Sequence, residues 1–396
     1  MSALSCCVRT LFDAETAMPS PSMKNLTPET AAFVADSIEQ MLSHQRLLAD
    51  QLGASRAVSH VAAGRPWAQA PVPRIVLPPA ELTLIVHTAA VAKRWRANSQ
   101  IACLVDPTLA EQLMTAASDA LPTGIFRQLP YANPLIVFAA PIPCRTTDDR
   151  AARLLGFFVH GLKDLNTDNA AFCDIHTEAD TLGVTTVLEL TDGGPGGHEL
   201  NRLAIPLDAD RLTLPEYVAH AARNHPMDLL TALSATEESV RSCLQTVLRP
   251  VLGALLYLCS ADADIDDQRN TDASTADPAR RASKKRRARR RTAFVPVGWR
   301  IGARMRRAAA AAQAGRPATP GAGTGRTQPP RQRRSHFKVV WTGVGRRIPR
   351  TVFVLPYFIH KHQIGLAATE STLVPTSPRR RRTKRSRDRH TPRRDR

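Results

Sequence analysis

The chain has 396 residues, 43% of them apolar and 5% aromatic, with 30 prolines, 20 glycines and a net charge of +19. That length holds two ordinary domains, or one large domain with extensions around a real hydrophobic core. The longest apolar run, Pro250 to Cys259, falls short of the roughly 20 residues that a membrane span needs.

The charge is divided along the chain. Arg280 to Arg396 hold 34 Lys and Arg against three acids, a net of +31, which leaves the first 279 residues at −12. Such a split marks the C-terminal third as built to meet something anionic, nucleic acid first and an acidic protein surface second. The seven cysteines are odd in number, irregularly spaced and without a CxxC pair, as a reducing compartment permits. The first twenty residues lack a basic start followed by an apolar run, so a secretory leader is not expected. The expected location is the cytoplasm, with no membrane partner. The segment before Asn25 has no clear periodicity, which leaves Met18 and Met23 as alternative starts.

In chain order, Thr27 can cap a first helix, Pro28 suits its first position and Gly53 sits where it would end. A Pro-rich linker from Ala63 to Pro79 precedes a second helix, Ala80 to Asn98. Strand patterns follow at Gln100–Val105, Leu135–Ala140, Leu154–His160, Thr185–Leu190 and Asn201–Pro206, with a short helix from Pro107 to Ala117. Helical character returns at Leu214–Asn224 and again from Ser234 to Ser260, where Ser234 and Glu237 suit a capping box and Pro250 predicts a kink. Val295 to Gln313 reads as a strand leading into an Ala/Arg helix, and His336–Thr342 and Arg350–Ile359 as two strands joined by a turn.

The fold class is therefore α+β, a mixed or antiparallel sheet flanked by helices, with disordered basic arms. The expected organisation is a disordered N-terminus (1–24), one body (25–261 and 294–365, its part 25–98 helical), an acidic-to-basic disordered insertion (262–293) and a polybasic disordered tail (366–396).

Two basic runs carry the clearest chemistry. RRASKKRRARRR (280–291) offers Lys284, Lys285, Arg286, Arg287, Arg289 and Arg290, and the tail from 379 offers Arg379, Arg380, Arg381, Arg382, Lys384 and Arg385. Neutralising phosphates releases condensed counterions, so such runs bind RNA or DNA tightly, without sequence preference and with strong salt dependence. Neither run interleaves aromatics, so no stacking platform for single strands is present.

Other motifs fail on inspection. TDGGPGGHEL (191–200) and GAGTGR (321–326) lack the Lys-Ser/Thr of a nucleotide loop. Asp262, Asp264 and Asp266 alternate as in a calcium loop, yet the sixth and twelfth positions, Asp267 and Ala273, are wrong. Cys173 with His176, and His220 with His225, have ligand-like spacing but no second pair to complete a zinc site. His87, between Leu84 and Val91, reads as a partly buried core residue. No metal, cofactor or catalytic residue is expected.

One cluster stands out as a recognition surface: His336, Phe337, Trp341, Arg346, Arg347, Arg350, Tyr357, His360 and Lys361 fall on two short strands and their turn. The bland alternative keeps the aromatics in the core with charges flanking them.

Four stretches in order, LPYANPLIVF (129–138), LLYLCSADADI (255–265), VGWRIGARMRRA (297–308) and Pro330 to Lys361, resemble the proteins similar to the second type V-A anti-CRISPR. The third looks like that family's Val-Gly-x-Arg-x-Gly segment. The fourth fits its Arg-Arg-x-His pattern at Arg333, Arg334 and His336, then Trp341, Gly343, Leu355 and Pro356. The chain departs at Arg331, Phe337, Lys338 and His360.

The resemblance implies a protein of plasmids, phages or similar elements. The family's founding inhibitor acts on the biogenesis of a CRISPR effector nuclease by recognising the effector chain, not through an obvious active site. Many relatives occur where no such target is evident, so the resemblance carries the binding mode and not that target. The sequence reading is therefore a non-catalytic binding protein that meets a protein or nascent-chain partner through Arg300, Arg304, Arg334, His336, Trp341, Arg350 and His360, with nucleic acid held by the basic runs. Two alternatives stay open: a nuclease-like enzyme using His336, His360 or Arg304, and a sequence-nonspecific DNA- or RNA-binding protein.

Overall fold

The computed structural model describes residues 46–71, 79–98, 100–116, 122–146, 149–163, 171–191, 198–208, 237–266, 292–314, 331–342, 345 and 348–359, with Ile38, Ser43, Thr213 and Glu216. Of the expected helix at Leu214–Asn224 only Glu216 is described; it is helical, and its carboxylate accepts from the Thr213 N–H and hydroxyl at 2.8 and 2.7 Å. His360 and both basic runs lie outside the described residues.

A seven-stranded mixed sheet forms the middle layer. Its strands are β1 (Ile101–Val105), β2 (Leu135–Arg145), β3 (Ala151–Lys163), β4 (Ala171–Cys173), β5 (Thr181–Leu190), β6 (His198–Pro206) and β7 (Ala293–Val297). The order is β6-β5-β3-β2-β1-β7, with β4 beside β3. β1 runs parallel to both β2 and β7, and the remaining pairs are antiparallel. All five residues of β1 are buried, as a central parallel strand covered on both faces requires.

One face is covered by α1 (Ser55–Ala62) and α2 (Pro79–Asn98). Trp95 of α2 is fully buried there; its indole N–H donates to the Ile101 carbonyl at 3.0 Å and its ring meets Phe158 edge-on at 5.8 Å. The other face is covered by α3 (Pro107–Thr115), a 3-10 turn (Thr123–Gln128), α4 (Glu237–Leu258, with Pro250 inside it) and α5 (Trp299–Ala314).

Beneath α2 sits a pair of imidazoles. His87 and the β3 residue His160 are each 3% exposed and pack on Phe172 at 5.3 and 4.7 Å between ring centroids. The Nδ1 atoms of both rings are buried without a hydrogen-bond partner. Burial, then the Arg202 charge, hold both well below the usual histidine range; the two rings' mutual charge acts further on His87 and Arg94 on His160. His87 is thus more deeply buried than its helix position suggested.

The described residues after α5 form two successive antiparallel strand pairs, read as one long bent hairpin. β8 (Arg331–Arg333) and β9 (His336–Thr342) return as β10 (Ile348–Val354) and β11 (Tyr357–Ile359). The register keeps one offset from Ile348↔Thr342 through Val354↔His336 to Tyr357↔Arg333, with the pairing interrupted at Arg334–Ser335 and Leu355–Pro356. The expected strand Arg350–Ile359 is therefore two strands, divided at Leu355–Pro356. The hairpin base enters the core: Phe353 stacks edge-on to Tyr257 at 5.4 Å and packs on Phe337 at 5.0 Å. Burying each phenyl ring is worth about 1.5–3 kcal/mol.

Among the described residues no helix is long and apolar enough to cross a membrane.

Candidate interaction surface

The Val-Gly-x-Arg-x-Gly segment turns out to be a structural junction at the carboxyl ends of the parallel strands. β7 ends at Val297, and Gly298 takes φ +74° to turn the chain into α5, a left-handed conformation that glycine adopts without a Cβ clash. The Asp264 carboxylate accepts the backbone N–H groups of Arg300 at 2.9 Å and Ile301 at 3.1 Å, capping α5 across 36 residues of sequence. It also receives the Arg300 guanidinium at 2.5 Å. The Asp264 N–H donates to the Tyr257 hydroxyl at 2.9 Å, and its carbonyl accepts from Gly298 N–H at 2.7 Å. Residues 262–266, expected to open the insertion, are thus placed against β7 and α5, and Asp266 N–H donates to the Pro296 carbonyl.

A second carboxylate mirrors the first. Asp106, which ends β1, caps α3 by accepting from Thr108 and Leu109 N–H at 2.9 and 3.1 Å. It is fully buried, and Arg306 of α5 donates to both its oxygens at 3.0 and 2.8 Å. Burial raises the Asp106 pKa, and Arg306 and the two backbone donors offset part of that rise. Gly302 lies against this carboxylate so closely that a Cβ there would overlap both oxygens. Val297, Gly298, Arg300 and Gly302 therefore hold two helix starts on two aspartates. Sequence reasoning weighed Asp264 only as a calcium ligand and missed Asp106; the Asp-Pro step at 106–107, a cap followed by proline at the first helical position, was the available signal.

Arg346, Arg347, His360 and Lys361 of the recognition cluster lie outside the described residues, and its described members on β9 and β10 divide between the two faces of the hairpin. Phe337 and Phe353 face the core, and Trp341 continues that face beyond the body, where it is 49% exposed. His336, Lys338 and Val340 lie on the opposite face, with Arg350 directly across from Val340. Val340 is 37% exposed, and Lys338, Arg334 and Arg350 are exposed. Lys338, Val339, Val340 and Trp341 line an open groove of about 770 Å³ along β9. Of the other expected partner-binding residues, Arg300 is tied to Asp264 with its side chain 72% exposed, Arg304 is half-buried on α5, and His360 lies outside the described residues.

Among the described residues, no three His, Cys, Asp or Glu side chains lie together as metal ligands would. Cys173 is buried, with its thiol pushed up to about 11 mainly by burial, and the His176 ring nitrogen instead meets the Arg127 carbonyl at 2.9 Å.

No curated protein matches the chain. A solved structure described as "Crystal structure of AcrVA2" is similar at 15% identity and a TM-score of 0.41, over 90% of this chain and 98% of that one. The family described as "AcrVA2-like: Anti-CRISPR type V subtype A2 family" matches residues 104–361, a span holding both aspartate junctions and the hairpin, and the chain belongs to it.

Proposed function

We propose that this protein is a non-catalytic, anti-CRISPR-like binding protein of a mobile element that captures a polypeptide of a type V CRISPR system, nascent or complete, at the exposed part of its C-terminal hairpin. The observation behind this reading is an exposed Trp341 and Val340 beside Lys338 and Arg350, on a hairpin whose base is locked in the core. Exposed aromatic and Arg side chains on a rigid support are the usual anchors of protein recognition. Arg334 and His336 extend the surface along β9, and Arg300, Arg304 and His360 are its proposed outer members. The runs at 280–291 and 379–396 add sequence-indifferent attachment to RNA or DNA, which keeps the protein near its partner in the cytoplasm.

The test is affinity capture of the tagged protein from host lysate, with and without nuclease, for the parent and the Trp341→Ala/Arg350→Ala double variant. A protein partner that survives nuclease and is lost with the double variant is the expected result. Recovery that vanishes entirely with the nucleic acid would instead make the protein a nonspecific nucleic-acid binder, the reading favoured by the charge of its last third.

A further inference from the structure

The two edges of the C-terminal hairpin are not equivalent. The outer edge of β10 is already met by the body: Ser260 bridges Thr351, Ala261 N–H donates to the Thr351 carbonyl at 3.0 Å, and Phe353 N–H donates to the Asp262 carboxylate. In a β-strand the N–H and C=O of one residue point to the same side, and successive residues alternate. Thr351 and Phe353 therefore direct their backbone groups toward the body, and Arg350, Val352 and Val354 direct theirs toward β9. By the register, His336, Lys338, Val340 and Thr342 return those bonds. The backbone groups of Phe337, Val339 and Trp341 must then point away from β10, to an edge where no described strand pairs with β9.

That edge has the marks of a template. β9 is seven residues long, contains no proline and keeps its register along its whole length. Natural sheets usually blunt such an edge with prolines, bulges or several charges, and here Lys338 is the one Lys, Arg, Asp or Glu of the strand. The groove along Lys338–Trp341 lies on it. Above the edge stand Lys338 and, across the ladder, Arg350; below it stand Val339 and Trp341.

We infer that β9 is a strand-addition site, and that its occupant is an extended segment of another polypeptide with alternating acidic and apolar residues. Its backbone would complete the outward groups of Val339 and Trp341. Its carboxylates would face Lys338 and Arg350, and its apolar side chains would lie on Val339 and Trp341. Backbone bonds supply affinity and the alternating side chains supply selectivity, as in other strand-addition complexes. This rests on the reading of the hairpin as a polypeptide-binding surface and specifies how it binds.

The probe is a fluorescein-labelled heptapeptide of alternating Glu and Val, titrated against the full chain by anisotropy at 0.3 M salt. Its controls are the same peptide N-methylated at alternate residues, and a Glu-only heptapeptide. The protein variant is Val339→Pro, which removes an outward N–H while leaving the β9–β10 bonds in place; its melting temperature checks the fold. The expected result is binding at least tenfold weaker for both control peptides, and for Val339→Pro with the parent peptide. Equal binding of the N-methylated or Glu-only peptide, or no binding of the alternating one, overturns the inference. If Trp341→Ala/Arg350→Ala loses the captured partner while folded Val339→Pro keeps it, the surface stands and strand addition is wrong. A self-association abolished by Val339→Pro would assign the edge to a second copy of this chain and overturn the foreign segment.

Discussion

Gly302→Ala tests the aspartate junction at its tightest point. The new methyl group would occupy the space of the Asp106 carboxylate, which is fully buried and can swing away only by giving up its partners. Those partners are the Thr108 and Leu109 N–H groups that it caps and the Arg306 guanidinium. Loss of a helix cap costs about 1 kcal/mol. Loss of a hydrogen bond to a charged group costs about 1.5–3 kcal/mol. Together they predict destabilisation by about 2.5–4 kcal/mol from one methyl group. For a body of this size that lowers Tm by roughly 5–15 °C. Circular dichroism melts, with urea midpoints at unchanged slope, measure it. Asp106→Asn keeps the shape and one acceptor for the caps, so its loss should be smaller than that of Gly302→Ala. A Gly302→Ala protein within about 0.5 kcal/mol of the parent, the range of ordinary surface changes, would refute the claim that this glycine is dictated by Asp106.

Three further outcomes follow from other parts of the molecule. His87 and His160 are held neutral in the fold, while the unfolded chain takes up protons near pH 6.5. Stability is therefore complete above about pH 6.5 and falls on acidification, by about 1.4 kcal/mol per pH unit for each ring until its folded pKa is reached; melts at pH 7.5 and 5.5 should show a smaller gap in His160→Leu. Trp341→Ala is expected to leave Tm within about 2 °C of the parent while weakening partner capture, because the indole is half exposed and stands beyond the core; a large Tm loss would place it in the core instead. Deleting residues 379–396 removes eleven Lys and Arg and should flatten the dependence of log Kd on log salt for a random RNA by about 0.7 for each phosphate no longer neutralised, with the melt unchanged.

Local pattern made part of this legible. The apolar runs at Gln100–Val105 and His336–Thr342, the cap-and-proline start of α3, and the strand-to-helix step at Val297 each state their structure within a few residues. Proline misled where it stood at tolerated positions. β2 was expected to stop at Ala140, yet it continues through Pro141 and Pro143, with the register shift between Val137 and Ile142 absorbing the disruption. Pro349 likewise sits inside β10, at a position whose N–H would point away from β9. Asp264 as the cap of α5, Arg306 on Asp106 and the His87–Phe172–His160 stack were illegible because each joins residues far apart in sequence. The hairpin surface was half legible: its aromatics and cations were visible as a cluster, but which of the two alternating faces meets the core depended on the packing of Phe353 on Tyr257 and Phe337.

The pairing of β7 with β1 fixes when this protein can finish folding. Ile101 meets Ala293 across about 190 residues, so β1 waits on the ribosome for roughly 10–40 s before its edge partner is even synthesised. Throughout that interval five consecutive apolar residues keep one side of their backbone unpaired, and neither Arg306 nor Gly302 has arrived to settle Asp106. Completion is a late, long-range event of the kind that slows folding and exposes sticky edges. A nascent copy stalled before residue 293 would itself be an open sheet edge beside other emerging chains.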